Sequence, residues 1–400
     1  MREPENNMIP SSLDPTQEWK RIQSTQTFDQ VPRTCRAHSP TTHLRIACIS
    51  DTHGQHRKVR IPKCDVLVHA GDFTMSGEVS IVQDLSAYFS RIRRPPEADK
   101  VMKKVEETVQ EGSFQSPSSS SSRNLDTNHG PAEEIICISG NHDITFQPET
   151  YEHNWKVFHR KRGPYDTSVA RSSLTNCLFL KDEAYKFKHI QFYGSPCTPE
   201  YGDCWAYMQS RDEISKIWDK IPNETDVLVT HGPPLGRGDL CWSGVRAGCI
   251  DLLRQVQERI QPRIHIFGHI HESAGVTYDG TTLFVNAASC TLEYDPENCC
   301  IVVDLPFDPE LPPQVVTPQS TLSGREVLEW LEAHSEYQSL IPHFRAATPL
   351  LEGTDLVGKE ISIEDIAVIK LGLHREREHW YKLKSLLREM LHHLRTQSYE

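Results

Sequence analysis

Short hydrophobic runs recur between polar turn residues over residues 43–306, and helix-like stretches fall between several of these runs. Apolar runs of this length that are rich in β-branched residues predict buried strands. Strands that alternate with helices are typical of an α/β domain. The pattern therefore predicts that residues 43–306 form the main folded unit.

Three stretches lack this periodicity. Residues 1–42 are rich in Pro, Ser, Thr and Gln, which predicts a disordered N-terminal tail. A low-complexity serine run lies within residues 94–132, and we expect that stretch to be a disordered insertion looped out of the main unit. Prolines recur in residues 307–320, which predicts an extended linker.

Beyond this linker, residues 321–396 lose the strand pattern and show the periodicity of amphipathic helices. The last of these helices would place Trp380, Leu383, Leu387, Met390 and Leu394 on one stripe, at spacings of three and four residues. We therefore expect a separate all-α unit at the C-terminal end of the chain.

Five of the apolar runs end in polar residues that can bind metal ions. These clusters are Asp51, Thr52 and His53; Gly71 and Asp72; Gly140, Asn141, His142 and Asp143; His231 and Gly232; and Gly268, His269, Ile270 and His271. Because ligand sites of α/β sheets lie at the carboxyl ends of strands, we expect the five clusters to meet at one edge. A single cluster of this kind is a weak signal, but five in succession favour a shared site.

The donors in these clusters are carboxylates, an amide carbonyl and imidazoles, without a thiolate. Such a set suits Mn, Fe, Zn or Co and argues against a structural cysteine site. Seven donors are too many for one tetrahedral ion. If one carboxylate bridges, they divide into two sets that fit two ions roughly 3.5–4 Å apart.

The motifs resemble the calcineurin-like metallophosphoesterase superfamily, whose pattern D-x-H, G-D, G-N-H-[DE], H and G-H-x-H occurs here in that order. The segments CISDTHG, DVLVHAGDF, THGPPLG and IHIFGHIHE are similar, more closely, to the metallophosphoesterase domain-containing (MPPED) subgroup. The resemblance covers about residues 43–306, and the serine-rich insertion departs from the short connection of the subgroup. It implies a four-layered α/β/β/α sandwich.

The resemblance also implies a role for each motif residue. It assigns Asp51, His53 and His271 to one ion, Asn141, His231 and His269 to the other, and Asp72 to the bridge between them. It places His142 against the phosphate as a hydrogen-bond donor or acid, with Asp143 orienting its imidazole and favouring the protonated form. Some subgroup members replace the first His of G-H-x-H, whereas His269 is retained here. The expected ions are two Mn²⁺, with Fe, Zn and Co as alternatives.

The implied activity is hydrolysis of a phosphoester, and specifically of a phosphodiester such as a cyclic nucleotide, by a hydroxide that bridges the two ions. The alternative hypothesis is a catalytically weak nucleotide-binding scaffold that recruits partners through residues 321–396. That region is similar to a SAM domain in segments such as VLEWLEAH and EDIAVIKLGL, although a generic helical bundle also fits. A SAM domain implies a protein partner or self-association.

Composition narrows the partners further. Lys and Arg number 43 against 55 for Asp and Glu, and the net charge of −12 argues against general nucleic-acid binding. Charges interrupt every apolar stretch well short of the ~18–20 residues that cross a bilayer, so no membrane association is expected. The 12 cysteines form no regular framework, which favours reduced thiols in a cytoplasmic or nuclear protein.

Several other polar and aromatic residues have competing interpretations. We expect His69 and His265, inside strand runs, to be buried and hydrogen-bonded and not to bind a metal ion. Asn286 fits either support of the site or turn formation. The aromatic residues Tyr201, Trp205 and Tyr207 offer faces for a nucleobase, but core packing is the stronger expectation.

Overall fold

Two β-sheets face each other in the computed structural model, which describes residues 14–34, 37–94, 130–202 and 204–316. One sheet contains β1 (Arg33–Thr34), β2 (His43–Ile49), β3 (Cys64–His69), β4 (Ala132–Cys137), β5 (Leu178–Phe179), β14 (Ile301–Pro306) and β15 (Gln314–Val316), in the order β1-β15-β14-β2-β3-β4-β5. The other contains β6 (Glu183–Phe187), β7 (Ile190–Ser195), β10 (Val227–Thr230), β11 (Ile264–Phe267), β12 (Gly275–Tyr278) and β13 (Leu283–Asn286), in the order β12-β13-β11-β10-β7-β6. The short strands β8 (Thr198–Pro199) and β9 (Met208–Gln209) pair separately.

The central strands of each sheet are parallel. In the first sheet, β2, β3, β4 and β5 run in one direction, and β14 lies antiparallel against β2. In the second sheet, β7, β10, β11 and β13 are parallel. Each sheet therefore collects the carboxyl ends of its central strands at one edge, where the loops that carry the polar clusters begin.

Alternation along the strands divides the core into layers. Ile46 and Cys48 of β2 pack in the cluster between the sheets, whereas Ala47 and Ile49 pack in the cluster beneath the helices. The helices are α1 (Pro15–Ile22), α2 (Val79–Ile92), α3 (Pro148–His159), α4 (Thr167–Ser173), α5 (Ser215–Trp218) and α6 (Ile250–Arg254), which continues as a π-helical turn, Gln255–Ile260. Phe89 of α2 covers the first sheet and Leu252 of α6 covers the second. This is the expected α/β/β/α order of layers.

The expectation of a disordered tail over residues 1–42 is wrong for its described part. Asp14 caps α1 by accepting hydrogen bonds from the backbone of the first turn, and Pro15 occupies the first helical position. Trp19 is 8% exposed and packs against Leu235 and Leu253. One buried tryptophan on a helix of eight residues anchors the segment, and so short an element gives too few turns for a periodic signal.

The expected linker at residues 307–320 is also wrong for its described residues, 307–316, because they include strand β15. The chain turns back after β14, and Val315 of β15 is buried between β14 and β1. The prolines before β15 precede its paired residues, so they remove no ladder hydrogen bond. Residues 317–320 and the predicted SAM-like unit at 321–396 lie outside the described residues.

The serine-rich insertion begins and ends at neighbouring positions. Arg93 and Ala132 form a parallel bridge, so the chain leaves and re-enters the domain at one point, as a looped-out insertion requires. Ala132 is the first residue of β4, which places the end of the insertion before the expected boundary at 132. Residues 95–129 lie outside the described residues.

Two expectations from composition can be compared with the described residues. None of their helices has both the length and the apolar character needed to cross a bilayer. Their cysteines are free thiols, and Cys48, Cys64 and Cys137 are buried in the cores.

The histidines within the strands are buried, as expected. His69 Nε2 lies 2.9 Å from Thr52 Oγ1, and His265 Nε2 lies 2.8 Å from Thr230 Oγ1. Nδ1 of each ring has no hydrogen-bond partner among the described residues. Burial lowers the pKa of both imidazoles from 6.5 to about 3, so both rings are neutral in the folded protein at neutral pH.

The buried imidazole of His265 makes a testable contribution to the pH dependence of folding. Because its pKa is near 6.5 when unfolded and about 3 when folded, the unfolded chain binds more protons between these values, and stability falls as the pH drops. The His265→Gln variant of the metal-free protein should lose about 2 kcal/mol less stability than wild type between pH 7 and pH 5, measured by urea denaturation. The exposed His153→Gln variant is the control and should match wild type. Equal losses for His265→Gln and wild type would contradict the assignment.

Candidate metal centre

The five polar clusters meet at the carboxyl ends of the central strands, as predicted. The backbone N–H of Asp51 donates to the carbonyl of Gly71 over 2.9 Å, and that of His53 donates to the carbonyl of Asp72 over 3.1 Å. The N–H of Gly268 donates to the carbonyl of His231 over 3.0 Å. Neighbouring loops are therefore bonded directly to one another, which fixes the relative positions of their side chains.

Four residues of this centre have backbone torsions that side chains rarely adopt. The φ angles of Asp51, His53, Asp72 and His269 are 50°, 43°, 54° and 69°, all in the left-handed region. Such conformations cost of order 1–3 kcal/mol each and persist where the surrounding structure enforces them. Four such residues in one centre indicate that the fold accepts unfavourable backbone torsions in order to direct these side chains to the same place.

Two glycines leave room for the carboxylates. A Cβ atom at Gly140 would overlap the Asp72 carboxylate, and one at Gly268 would overlap the Asp51 carboxylate. The glycines of the G-N-H-D and G-H-x-H motifs are therefore required by the space that these two carboxylates occupy.

One donor set consists of Asp51, His53 and His271, whose ligand atoms lie within 4.8 Å of one another. Nε2 of His271 lies 3.2 Å from Nε2 of His53 and 3.3 Å from Oδ1 of Asp51. The other ring nitrogens are engaged elsewhere, because His53 Nδ1 donates to the Thr74 carbonyl and His271 Nδ1 donates to the Thr291 carbonyl. When both rings are neutral, three acceptor atoms therefore converge on one point.

The second donor set consists of Asp72, His231 and His269, with Asn141 beside them. Nε2 of His231 lies 2.9 Å from Oδ1 of Asn141 and 3.3 Å from Oδ2 of Asp72, while its Nδ1 donates to the Ala70 carbonyl. The ring of His269 lies 5.0 Å from that of His231. Acceptor atoms converge here as well.

The contacts within both donor sets fit a bound cation. Acceptors that face one another at 3 Å repel unless a proton or a metal ion lies between them. A ligating imidazole usually donates its outer N–H to a carbonyl or carboxylate, which is the arrangement of His53, His231 and His271. Asp72 touches both sets, since its Oδ2 also lies 4.0 Å from His53 Nε2. The donor atoms thus fit two ions that share Asp72.

The electrostatics of the site follow from its two buried carboxylates. Burial alone would raise the pKa values of Asp51 and Asp72, but the neighbouring histidines outweigh it and hold both below their usual range. Burial likewise opposes protonation of His231 and His271, yet the carboxylate that each contacts raises its pKa to about 9. In metal-free protein, protons on these two rings balance the carboxylates, and metal binding would displace them.

The other two imidazoles, His53 and His269, carry no extra proton that a metal ion would have to displace. Burial lowers the pKa of His53 to about 4 and that of His269 to about 3. Both rings are therefore neutral at pH 7, which is the form in which histidine binds metals.

The structure corrects the expected role of Asp143. The His142 ring is oriented by the Met75 carbonyl, to which its Nδ1 donates over 2.7 Å. Asp143 is fully buried and accepts hydrogen bonds from the backbone of Gly140 and Thr74 at 2.8 and 2.9 Å. Burial and the Asp72 charge raise the pKa of Asp143 to about 8. Asp143 therefore holds the loops that carry the ligands and does not position the imidazole.

Sequence reasoning missed Tyr294, which the structure places over the centre. Its ring lies 4.8 Å from that of His53 and 5.6 Å from that of His271, and its φ of 63° is left-handed. Its N–H donates to the carbonyl of Thr291, the same carbonyl that accepts from His271. No sequence motif includes Tyr294. Only its left-handed conformation and its position in the fold identify it as a residue of the centre.

The structure decides between the competing interpretations of the three aromatic residues and of Asn286. Tyr207 is core, with its hydroxyl donating to the Phe146 carbonyl, and Tyr201 is exposed. Trp205 alone of the three lies at the site, 4.2 Å from the His142 ring. Asn286 donates to the Gly238 and Ile270 carbonyls, so it supports the loop between the last two histidine ligands.

Comparisons with known proteins cover the same residues. The family described as calcineurin-like phosphoesterase matches residues 44–273, which include all seven expected metal ligands. The chain is 36% identical over 290 residues to Metallophosphoesterase domain-containing protein 1 of Homo sapiens and of Mus musculus, across 70% of this chain and 76% of theirs. It is 30% identical over 317 residues to a UPF0046 protein of Caenorhabditis elegans, across 75% of this chain and 95% of that one.

The shared contacts of Asp72 make its substitution a test of the centre. Asp72→Asn should weaken binding of Mn²⁺ by more than the 10–100-fold that loss of an outer hydrogen-bond partner costs, since it removes a charged ligand from both sets. Metal content after equilibrium dialysis measures the loss. Asp84→Asn is the matched control, because Asp84 is 43% exposed and pairs with His56 and Arg57 outside the centre. Equal metal content in the two variants would rule out a shared ligand at Asp72.

Proposed function

The chain belongs to the calcineurin-like phosphoesterase family, and from this premise we propose that it is a dinuclear phosphodiesterase acting on cyclic nucleotides or related small phosphodiesters. The observation that carries the proposal is the pair of converging acceptor sets that share Asp72. Every ligand that the family pattern requires is present, which favours an active enzyme over a scaffold.

Divalent metal ions follow from membership of the family, and we propose their identity and number. The family binds divalent metals, and the oxygen and imidazole donors here suit Mn²⁺, Fe, Zn or Co, of which we propose Mn²⁺. When bound, two such ions activate water for attack and offset negative charge on the phosphate oxygens. The chain itself supplies the ligands, the fixed ring orientations and the acid.

His142 is proposed as the group that donates to the substrate. Its Nδ1 is committed to the Met75 carbonyl, so Nε2 is the nitrogen left to act. His142 belongs to a group with His53 and Asp72 in which one ligand atom of each residue lies within 4.8 Å of the others. A half-buried imidazole at this position can donate to a phosphate oxygen or protonate the departing alkoxide.

The surroundings of the centre support a diester substrate. Among the described residues, the ion pairs of Asp51 and Asp72 are all with histidines. Trp205 lies beside His142, and Tyr294 lies beside His53. A lining of imidazole and aromatic rings suits a singly charged diester that carries an organic group on each side. A doubly charged monoester gains more from arginine or lysine, which pair with phosphate directly.

Trp205 supports the choice of a nucleotide. Its ring is partly exposed and lies next to His142, and Phe158 packs 5.0 Å from it and fixes its position. A fixed indole beside the phosphate site offers a stacking surface for a base, and such stacking is tolerant of base identity.

We propose a separate role for residues 321–396, which lie outside the described residues. The domain closes with β15 at Val316, and every residue named at the centre precedes it, so this region is not needed to build the centre. Its helical sequence pattern and its similarity to a SAM domain suggest self-association or binding of a protein partner. The free thiols of the described cysteines favour a reducing compartment, and we propose the cytoplasm.

The proposed chemistry predicts a specific defect for His142. Manganese-loaded wild type should hydrolyse bis(4-nitrophenyl) phosphate and a cyclic nucleotide, and His142→Asn should lower kcat about 10²–10⁴-fold because the donor to the leaving group is lost. Metal content should not change, which separates this variant from Asp72→Ala. The His153→Asn control should retain full activity. Metal-replete wild type that turns over no faster than Asp72→Ala would refute the enzymatic proposal.

The role of the C-terminal region is tested by ending the chain at Pro318. The shortened protein retains every described element, so kcat and KM should be unchanged, whereas self-association measured by sedimentation velocity should be lost. An unchanged oligomeric state would exclude assembly through this region. A loss of turnover would instead tie the region to catalysis.

A further inference from the structure

A second group of histidines and carboxylates lies at the opposite end of the first sheet. His38 precedes β2, His43 is its first residue, and Asp304 lies on β14 beside it. The ligand atoms of the three lie within 4.8 Å of one another. None of them belongs to the five motifs or contacts the centre described above, which follows the other end of β2.

The separations within this group match those of a tetrahedral zinc site. Nδ1 of His38 lies 3.2 Å from Nε2 of His43, and Nε2 of His43 lies 3.3 Å from Oδ2 of Asp304. Zn–N and Zn–O bonds of about 2.0–2.1 Å in tetrahedral geometry place neighbouring donors about 3.3 Å apart.

Hydrogen-bond partners fix which ring nitrogens carry protons. The Thr42 hydroxyl donates to the Ser39 carbonyl, so in its 2.9 Å contact with His43 Nδ1 it accepts. His43 Nε2 is then unprotonated, in agreement with the Ser39 N–H that points at it. His38 Nε2 lies 3.0 Å from Asp65 and donates to it, so in the neutral ring Nδ1 is the unprotonated nitrogen.

Three acceptor atoms therefore face one another here, as they do at the catalytic edge. Asp65 and Thr42 occupy the positions of outer partners, each holding the far nitrogen of one imidazole. Arg45 holds both oxygens of Asp304 at 2.7 and 2.8 Å and fixes the carboxylate, whose oxygens each have a second lone pair. The side chains of His38 and His43 are 15% and 14% exposed, so solvent can reach a fourth ligand position.

We propose that His38, His43 and Asp304 form a zinc site that is separate from the catalytic centre. Two imidazoles and one carboxylate with an open position are a typical zinc ligand set. The ion would tie the segment before β2 to β14 at this end of the first sheet. Because Arg45 already offsets the charge of Asp304, we expect this ion to bind more weakly than the catalytic pair.

The test removes the catalytic ligands first, so that the count of remaining ions is unambiguous. The full-length Asp51→Ala/Asp72→Ala protein is dialysed against Zn²⁺, and bound zinc is measured by mass spectrometry. About one equivalent should remain, and adding His38→Gln and His43→Gln should remove it. Adding His153→Gln and His189→Gln instead, at exposed positions elsewhere, should leave it in place. Circular dichroism checks that each variant is folded.

Two outcomes overturn the proposal. One is a background protein that is folded and binds less than half an equivalent of zinc, a measurement that needs no substitution at the histidines. The other is equal zinc content in the folded His38/His43 variant and in its control, which would mean that the bound zinc lies elsewhere in the protein. Neither result depends on turnover, so failure here is distinct from failure of the proposed phosphodiesterase.

Discussion

Two buried carboxylates, Asp51 and Asp72, impose the constraint on which the rest of this site depends. Ionised groups in a low-dielectric interior are costly unless positive charge lies beside them. In metal-free protein, the raised pKa values of His231 and His271 supply that charge, and divalent ions would supply it in their place. The left-handed torsions and the two glycines at the motifs follow from the same requirement, since they hold the ligands around one volume.

The arrangement of the ligands was predictable because it follows from topology. Apolar runs that end in polar residues indicate buried parallel strands, and parallel strands deliver their carboxyl ends to one edge. Residues as far apart in sequence as Asp51 and His271 could therefore be placed together, and the structure puts them 3.3 Å apart. The order of layers was predictable for a related reason, since adjacent positions of β2 alternate between the inner core and the helices.

The features that sequence reasoning missed depend on backbone groups and single side chains. The Met75 carbonyl, and not Asp143, orients His142. Because every residue has a backbone carbonyl, the sequence does not indicate which one accepts the hydrogen bond. Tyr294 reaches the centre because it adopts a left-handed backbone conformation within its loop. No local sequence pattern predicts that conformation. The N-terminal helix was overlooked because Trp19 is its one buried apolar side chain, whereas periodicity detects helices by repeated apolar positions.

Strand β2 links the two groups of converging acceptors, because His43 begins it and Asp51 follows its end. Its seven residues, at about 3.3 Å each, separate the groups by roughly 20 Å, so the two groups share no ligand. Mechanical coupling between them would run through the register of β2 against β14. The strand is buried on both faces and so resists sliding, and it therefore holds both groups in place as one rigid element.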